Sequence, residues 1–293
     1  MDSEHRHDSA QTHDHGHPHA HDHAHDHGHS HAPMPFAEPV EELKLTVENL
    51  SVAFGRRRVL EDVSLTVEGG QLMSVIGQNG CGKTTLLKAV AGIVKAQGSI
   101  RLTAKDALVR EKAIAYVPQL TSVTSRLTVF EMVLLGLVRD LSLSLDAKTF
   151  DRVDAVLHAM HINTLASEPV HSLSGGQKQL VFMAQAFVSN PRVLLLDEPT
   201  SALDLRHQLI VMQAARDYTN RTGAVTLCVV HDLMAAARYS DRLLMLDQGR
   251  VRLFAKPEEV LKPELIREVY RVSAHVGVTA PGFLSVVPIE PLA

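Results

Sequence analysis

The chain has 293 residues, 45% of them hydrophobic, which is enough to bury a sizeable core. A formal net charge of −4 excludes a broad nucleic-acid footprint, because wrapping phosphates needs a basic excess that is absent here. Two cysteines, Cys81 and Cys228, make no disulfide framework, and no apolar run approaches the roughly 20 residues that would span a bilayer.

In chain order, the first feature is a tract over residues 5–31 in which twelve histidines alternate with Asp, Ala or Gly. Residues 1–42 hold almost no large apolar side chain, so they cannot offset the entropy of ordering and are expected to be disordered. Imidazoles at this density suit Zn²⁺ or Ni²⁺, with overlapping sites and no single assignable ligand. A solvated tail without a metal role is the alternative. From Leu43 the pattern changes to period-two alternation in LKLTVENLSVAF (residues 43–54) and VLEDVSLTVEGGQLMSVIG (residues 59–77), with Gly69 and Gly70 marking a turn. Phe54 is either a platform for an aromatic ligand or ordinary core.

The segment GQNGCGKTT (residues 77–85) follows the apolar run LMSVI and precedes the amphipathic run TTLLKAVAGI. Strand, glycine-rich turn and helix start form the context in which backbone N–H groups and the helix dipole converge on phosphate oxygens. Gly77, Asn79, Gly80, Cys81, Gly82, Lys83, Thr84 and Thr85 are the candidate phosphate-binding residues. Lys83 is suited to the β- and γ-phosphates, and the Thr84 hydroxyl to Mg²⁺. Cys81 is a redox thiol or merely a small residue that fits the turn. Further on, AIAYVP (residues 113–118) reads as a strand that delivers Gln119. Residues 120–139 include LTVFEMVLLGLV, interrupted by Glu131, and are expected to meet a partner through the apolar stripe of Val129, Met132, Val133 and Leu137, with core as the alternative.

Helical periodicity dominates the middle of the chain, as in FDRVDAVLHAMHI (residues 150–162). LSGGQ (residues 173–177) opens the helical run KQLVFMAQAFV, so Ser174, Gly175, Gly176 and Gln177 would present N–H groups to an anion. VLLLDEP (residues 193–199) places Asp197 and Glu198 at the carboxyl end of a buried strand. Adjacent carboxylates there are costly without a nearby cation. TLCVV (residues 226–230) ends at His231, which spacing alone would leave as a packed or surface residue.

The order GQNGCGKTT, LSGGQ, VLLLDEP and His231 resembles the ATP-binding cassette (ABC) family over about residues 43–270. That resemblance implies an α/β fold: a RecA-like P-loop NTPase core with an N-terminal antiparallel β subdomain and an α-helical signature subdomain. Residues 1–42 and 271–293 would be a tail and a C-terminal extension. It implies an ATPase using ATP and Mg²⁺, with Thr84, Gln119 and Asp197 around the ion, Glu198 polarising the attacking water and His231 on the γ-phosphate. Phe54 would stack on adenine. Ser174, Gly175, Gly176 and Gln177 would hold the γ-phosphate bound by a second copy, and the loop ending at Asp204 would link the two sites.

The partners implied are that second copy, transmembrane permease subunits and, indirectly, a substrate-binding protein, at the cytoplasmic face of the membrane. LDEPTSALDLRHQ (residues 196–208) and PEEVLKPELIREVYRV (residues 257–272) look like the ATPases of iron–siderophore, haem and cobalamin importers. An ATPase of a zinc, manganese or nickel importer is the alternative. Less favoured are a nickel-inserting GTPase, which lacks LSGGQ and needs a guanine-reading motif absent here, and a soluble non-transport ABC protein.

Overall fold

The computed structural model describes residues 39, 41–105, 107–108, 113–119, 124–138 and 147–292. The tail and the metal binding expected of it lie outside the described residues.

β1 (Lys44–Phe54) and β2 (Arg57–Glu68) form an antiparallel hairpin whose alternation buries Leu45, Val47, Leu50 and Val52 against Leu60, Val63, Leu65 and Val67. Gly55 turns it at φ 61°, a conformation that costs glycine little. β3 (Leu72–Ile76) follows and is buried at every position, and α1 (Lys83–Val90) begins after the glycine-rich loop. β4 (Gln97–Ala104) and β5 (Ala107–Leu108) extend the hairpin to a four-stranded antiparallel sheet of order β2-β1-β4-β5.

The second sheet is built from β3, β6 (Ile114–Val117), β7 (Val193–Asp197), β8 (Val225–Val229), β9 (Arg242–Asp247) and β10 (Arg250–Ala255), in the order β10-β9-β3-β8-β7-β6. Every pairing from β9 to β6 is parallel, so the carboxyl ends of β3, β6, β7 and β8 lie along one edge. Alternate residues of these strands feed two cores. Met73, Val75, Leu195, Leu227 and Val229 pack with the antiparallel sheet and α1, while Leu72, Leu194, Leu196 and Cys228 pack with the helices. Each fully buried Val or Leu here is worth roughly 1.5–3 kcal/mol. The strand ends are therefore fixed far more firmly than the loops they carry.

The helical layer comprises α2 (Val129–Leu134), α3 (Ala147–Ala159), α4 (Gly175–Phe187) and α5 (Leu205–Thr222). Glu131, which interrupts the apolar run in sequence, is the third residue of a capping box: its carboxylate accepts from Thr128 N–H at 2.8 Å and Thr128 Oγ1 accepts from Glu131 N–H at 3.2 Å. Val129, Met132, Val133 and Leu137 are buried in the core beneath α4, so that stripe faces inward and is not a docking surface. Leu127, Leu135 and Val138 are the exposed large apolar residues among the described residues of this segment. Residues 120–123 and 139 fall outside the described residues.

After β8 come α6 (Leu233–Tyr239) and, beyond β10, α7 (Pro257–Val260) and α8 (Pro263–Tyr270). The extension expected past residue 270 is an antiparallel hairpin of β11 (Val272–Val278) and β12 (Leu284–Pro291). Val286 is buried in the helical-side core, and the Arg238 guanidinium of α6 sits 4.8 Å over the Phe283 ring at the hairpin turn. No helix among the described residues is long and apolar enough to cross a membrane.

Candidate active site

The loop after β3 is shaped by glycines. Gly77 has φ 142°, and a Cβ there would lie 2.2 Å from the Leu246 carbonyl oxygen; Gly80 and Gly82 also have positive φ, at 78° and 111°. The Lys83 ammonium, only 5% exposed, donates to the carbonyls of Gly77 at 2.8 Å and Gln78 at 2.9 Å. It has no carboxylate partner among the described residues, so a buried positive charge is held by neutral oxygens alone. A phosphate anion fits that position.

Cys81 behaves differently. It is buried, its backbone N–H donates to Gln78 O at 3.3 Å, and its carbonyl accepts from Gly249 N–H at 3.0 Å. Burial pushes the thiol pKa up, partly offset by the nearby Lys83 charge. A reactive thiolate needs the opposite shift. Its small side chain belongs to the core beneath the loop.

Asp197 ends β7 and is 3% exposed. Thr84 Oγ1 donates to its Oδ1 at 2.8 Å and the Tyr116 hydroxyl to its Oδ2 at 2.9 Å. Both partners are neutral, so a hard cation with oxygen ligands, as Mg²⁺ is, fits beside this carboxylate. Register explains the next residue. Val117 pairs with Leu196 and Asp197 with Val229, so Gln119 and His231, each two residues past its partnered strand position, flank Glu198. Gln119 Nε2–H donates to Glu198 Oε2 at 2.7 Å, and His231 Nε2 lies 2.6 Å from Glu198 Oε1. Glu198 itself has φ 51°, an uncommon conformation for a non-glycine residue and one that concentrates at functional sites.

A cleft of about 490 Å³ is lined by Phe54, Asn79, Gly80, Gly82, Lys83, Thr84, Thr85, Glu198 and His231, together with Arg57 and Val59, while Gly77, Cys81, Gln119 and Asp197 are not among its lining residues. Phe54 is 54% exposed and lines that cleft, so it is not a core residue. Ser174, Gly175, Gly176, Gln177 and Asp204 are not among the lining residues. Ser174 caps α4 in a second capping box, its Oγ accepting from Gln177 N–H at 3.3 Å while Gln177 Oε1 accepts from Ser174 N–H at 3.0 Å. Gly176 is pressed against His207, whose ring would lie 2.4 Å from a Cβ there. A Cβ added at Gly175 would meet only Leu203, in ordinary contact at 3.9 Å. Asp204 caps α5, accepting from His207 N–H at 2.9 Å, and its carboxylate meets His207 Nδ1 at 2.8 Å.

Sequence reasoning missed Tyr116 and His207. Tyr116 reads as one more apolar strand residue. His207 gains its place only through the fold. The capping boxes were missed as well, although the spacings Thr128-x-x-Glu131 and Ser174-x-x-Gln177 carry their signature. Among the described residues no cluster of three or more His, Cys, Asp or Glu side chains is arranged to hold a metal ion.

Residues 60–201 match the ABC transporter family. An uncharacterised ABC transporter ATP-binding protein of Methanocaldococcus jannaschii is 36% identical over 252 residues, covering 84% of this chain and 98% of that protein. The hemin import ATP-binding protein of Pseudomonas aeruginosa is 40% identical over 238 residues, covering 77% of this chain and 92% of its own length. Among solved structures, an ABC transporter provisionally classed as metal-chelate type, in an inward-facing conformation, superposes with a TM-score of 0.76 at 27% identity, covering 85% of this chain and 98% of that one.

Proposed function

Since the chain belongs to the ABC transporter family as an ATP-binding subunit, we propose that it powers an importer of an iron–siderophore or related metal chelate such as haem or cobalamin. The observation that carries the ATPase half of this reading is Glu198, held between Gln119 and His231 at the rim of the cleft that Lys83 and Phe54 define. Gly77, Asn79, Gly80 and Gly82, with the helix dipole of α1, cradle the β- and γ-phosphates, and Lys83 exchanges its two carbonyl partners for phosphate oxygens. Phe54 stacks on the adenine. Thr84 and Asp197, with Gln119, hold Mg²⁺, which supplies charge neutralisation on the phosphates when bound. Glu198 orients and polarises the attacking water, and His231 fixes the Glu198 carboxylate and reaches the γ-phosphate.

Because Ser174, Gly175, Gly176 and Gln177 lie outside their own chain's cleft, they complete the site of a second copy, and the loop ending at Asp204 joins the two sites. Permease subunits carry the substrate across the membrane, fed by a substrate-binding protein. The metal-chelate assignment rests on the hemin importer ATPase and on an iron(3+)-hydroxamate importer ATPase of Bacillus subtilis, 34% identical over 248 residues, of which the chain covers 91%.

A second reading, an importer of bare Zn²⁺, Mn²⁺ or Ni²⁺, is favoured by the twelve histidines of residues 5–31. Uptake of labelled ferric siderophore, haem and Zn²⁺ by cells lacking the gene separates the two. Restoration of chelate uptake by the wild-type chain, and not by Glu198→Gln, supports the first reading. Restoration of Zn²⁺ uptake alone overturns it in favour of the second.

A further inference from the structure

Tyr116 has had no role so far, and we infer that it is a positioning residue for Mg²⁺-dependent nucleotide binding, setting the rotamer of Asp197 through its hydroxyl. The inference rests on the proposed role of Asp197 as a Mg²⁺ holder. Asp197 is almost completely buried and offers two oxygens, and two side-chain hydroxyls divide them: Thr84 takes Oδ1 and Tyr116 takes Oδ2. A buried carboxylate with one oxygen unpartnered would lose a hydrogen bond to a charged group and gain freedom to rotate about its own axis. Tyr116 removes that freedom through Oδ2, leaving the Thr84 side to meet the ion.

The chemistry of the donor matters as much as its place. A lysine or arginine at this position would neutralise Asp197 and compete with a divalent cation. A phenol satisfies the oxygen while leaving the carboxylate's full negative charge for Mg²⁺. A phenol is protonated at neutral pH, so its hydroxyl is available to donate to Asp197. Position supplies a further link. Tyr116 lies on β6, three residues before Gln119, and the two donate to the adjacent carboxylates Asp197 and Glu198 on the neighbouring strand end. A shift of the Gln119 segment therefore pulls on the ion site and the water site together.

The test uses the full chain and binding of a non-hydrolysable ATP analogue, titrated with Mg²⁺, with melting temperature as the folding control. In Tyr116→Phe the ring remains, Mg²⁺-free nucleotide affinity is expected to equal the wild type, and the Mg²⁺ concentration for half-maximal enhancement of binding rises roughly tenfold, the size of one hydrogen bond to a buried charge. Asp197→Asn serves as the reference, and adding Tyr116→Phe to it should change the Mg²⁺ midpoint no further, because the phenol acts through the carboxylate. A Tyr116→Phe protein with native melting and an unchanged Mg²⁺ midpoint, beside an Asp197→Asn protein whose midpoint moves, overturns the role of Tyr116 alone. Unchanged midpoints in both overturn the Asp197 assignment and the inference with it. A full further shift in the double variant shows that Tyr116 acts independently of Asp197 and likewise overturns the inference.

Discussion

At the scale of single residues, charge without a counter-charge is what makes the cleft a nucleotide site. Lys83 is a buried cation on neutral carbonyls and Asp197 a buried anion on neutral hydroxyls, and each is incomplete until a ligand of opposite sign arrives. Cys81 gives a contrasting prediction. Its thiol pKa is raised, so the thiolate is scarce at neutral pH, and alkylation by iodoacetamide at pH 7–8 should be at least several-fold slower than for an exposed thiol. Labelling as fast as a free cysteine peptide would restore Cys81 as a redox candidate. The raised pKa values of Tyr116, Tyr218 and Tyr270 all come first from burial. For such groups the stabilising contribution is present below the unfolded value of about 10 and declines as pH rises above it, so unfolding midpoints in urea should fall beyond about pH 10. The apolar run before it placed Glu198 at a strand end, whereas His231 and Gln119 were singled out only through the family resemblance. Tyr116 was not, since nothing in AIAYVP distinguishes a hydroxyl aimed at a neighbouring strand from one facing solvent.

At the scale of elements, the starts of α4 and α5 are tied to each other through His207. The α4 start is held by its own capping box and by the His207 ring packed on Gly176, while Asp204 caps α5 and holds His207 from the other side. Gly176→Ala should therefore displace the α4 start, because the added methyl would meet the ring at 2.4 Å. The expected result is ATP binding close to wild type, since the cleft's own lining is untouched, with turnover reduced by about tenfold or more through loss of anchoring for the partner's phosphate. Turnover equal to the wild type in the purified variant would show that the α4 start takes no part in catalysis. Strand and helix identities followed from apolar period, and the RecA-like core with its antiparallel sheet follows the motif order. The direction of the α2 stripe did not: period locates a buried face but cannot say whether the burying surface is the same chain or another. Packing of Val129, Met132, Val133 and Leu137 beneath α4 decides that in favour of the core.

At the scale of the whole molecule, Ser174, Gly175, Gly176 and Gln177 are absent from the lining of their own chain's cleft, and the proposed reading has them complete the site of a second copy. Mixing Lys83→Ala with Ser174→Arg subunits should regenerate one intact composite site per heterodimer and recover part of the turnover absent from either variant alone. Heterodimers that form and stay inactive would reject that geometry. Deleting residues 2–32 should leave basal ATPase activity unchanged, because among the described residues no cleft residue precedes Phe54, while removing several Zn²⁺ or Ni²⁺ sites measurable by calorimetry. Histidines with an unperturbed pKa of about 6.5 are mostly neutral at pH 7 and should release that metal below about pH 6. Equal metal binding by both forms would end the buffering idea. That Glu198, clamped by Gln119 and His231, drives ATP hydrolysis at this cleft is tested most directly by steady-state ATPase and ATP-binding measurements on purified Glu198→Gln. Binding should be retained with turnover lowered by about 10²–10³-fold, within the usual range for a lost acid–base group. Hydrolysis at the wild-type rate, in a protein that binds ATP normally, would contradict that role for Glu198.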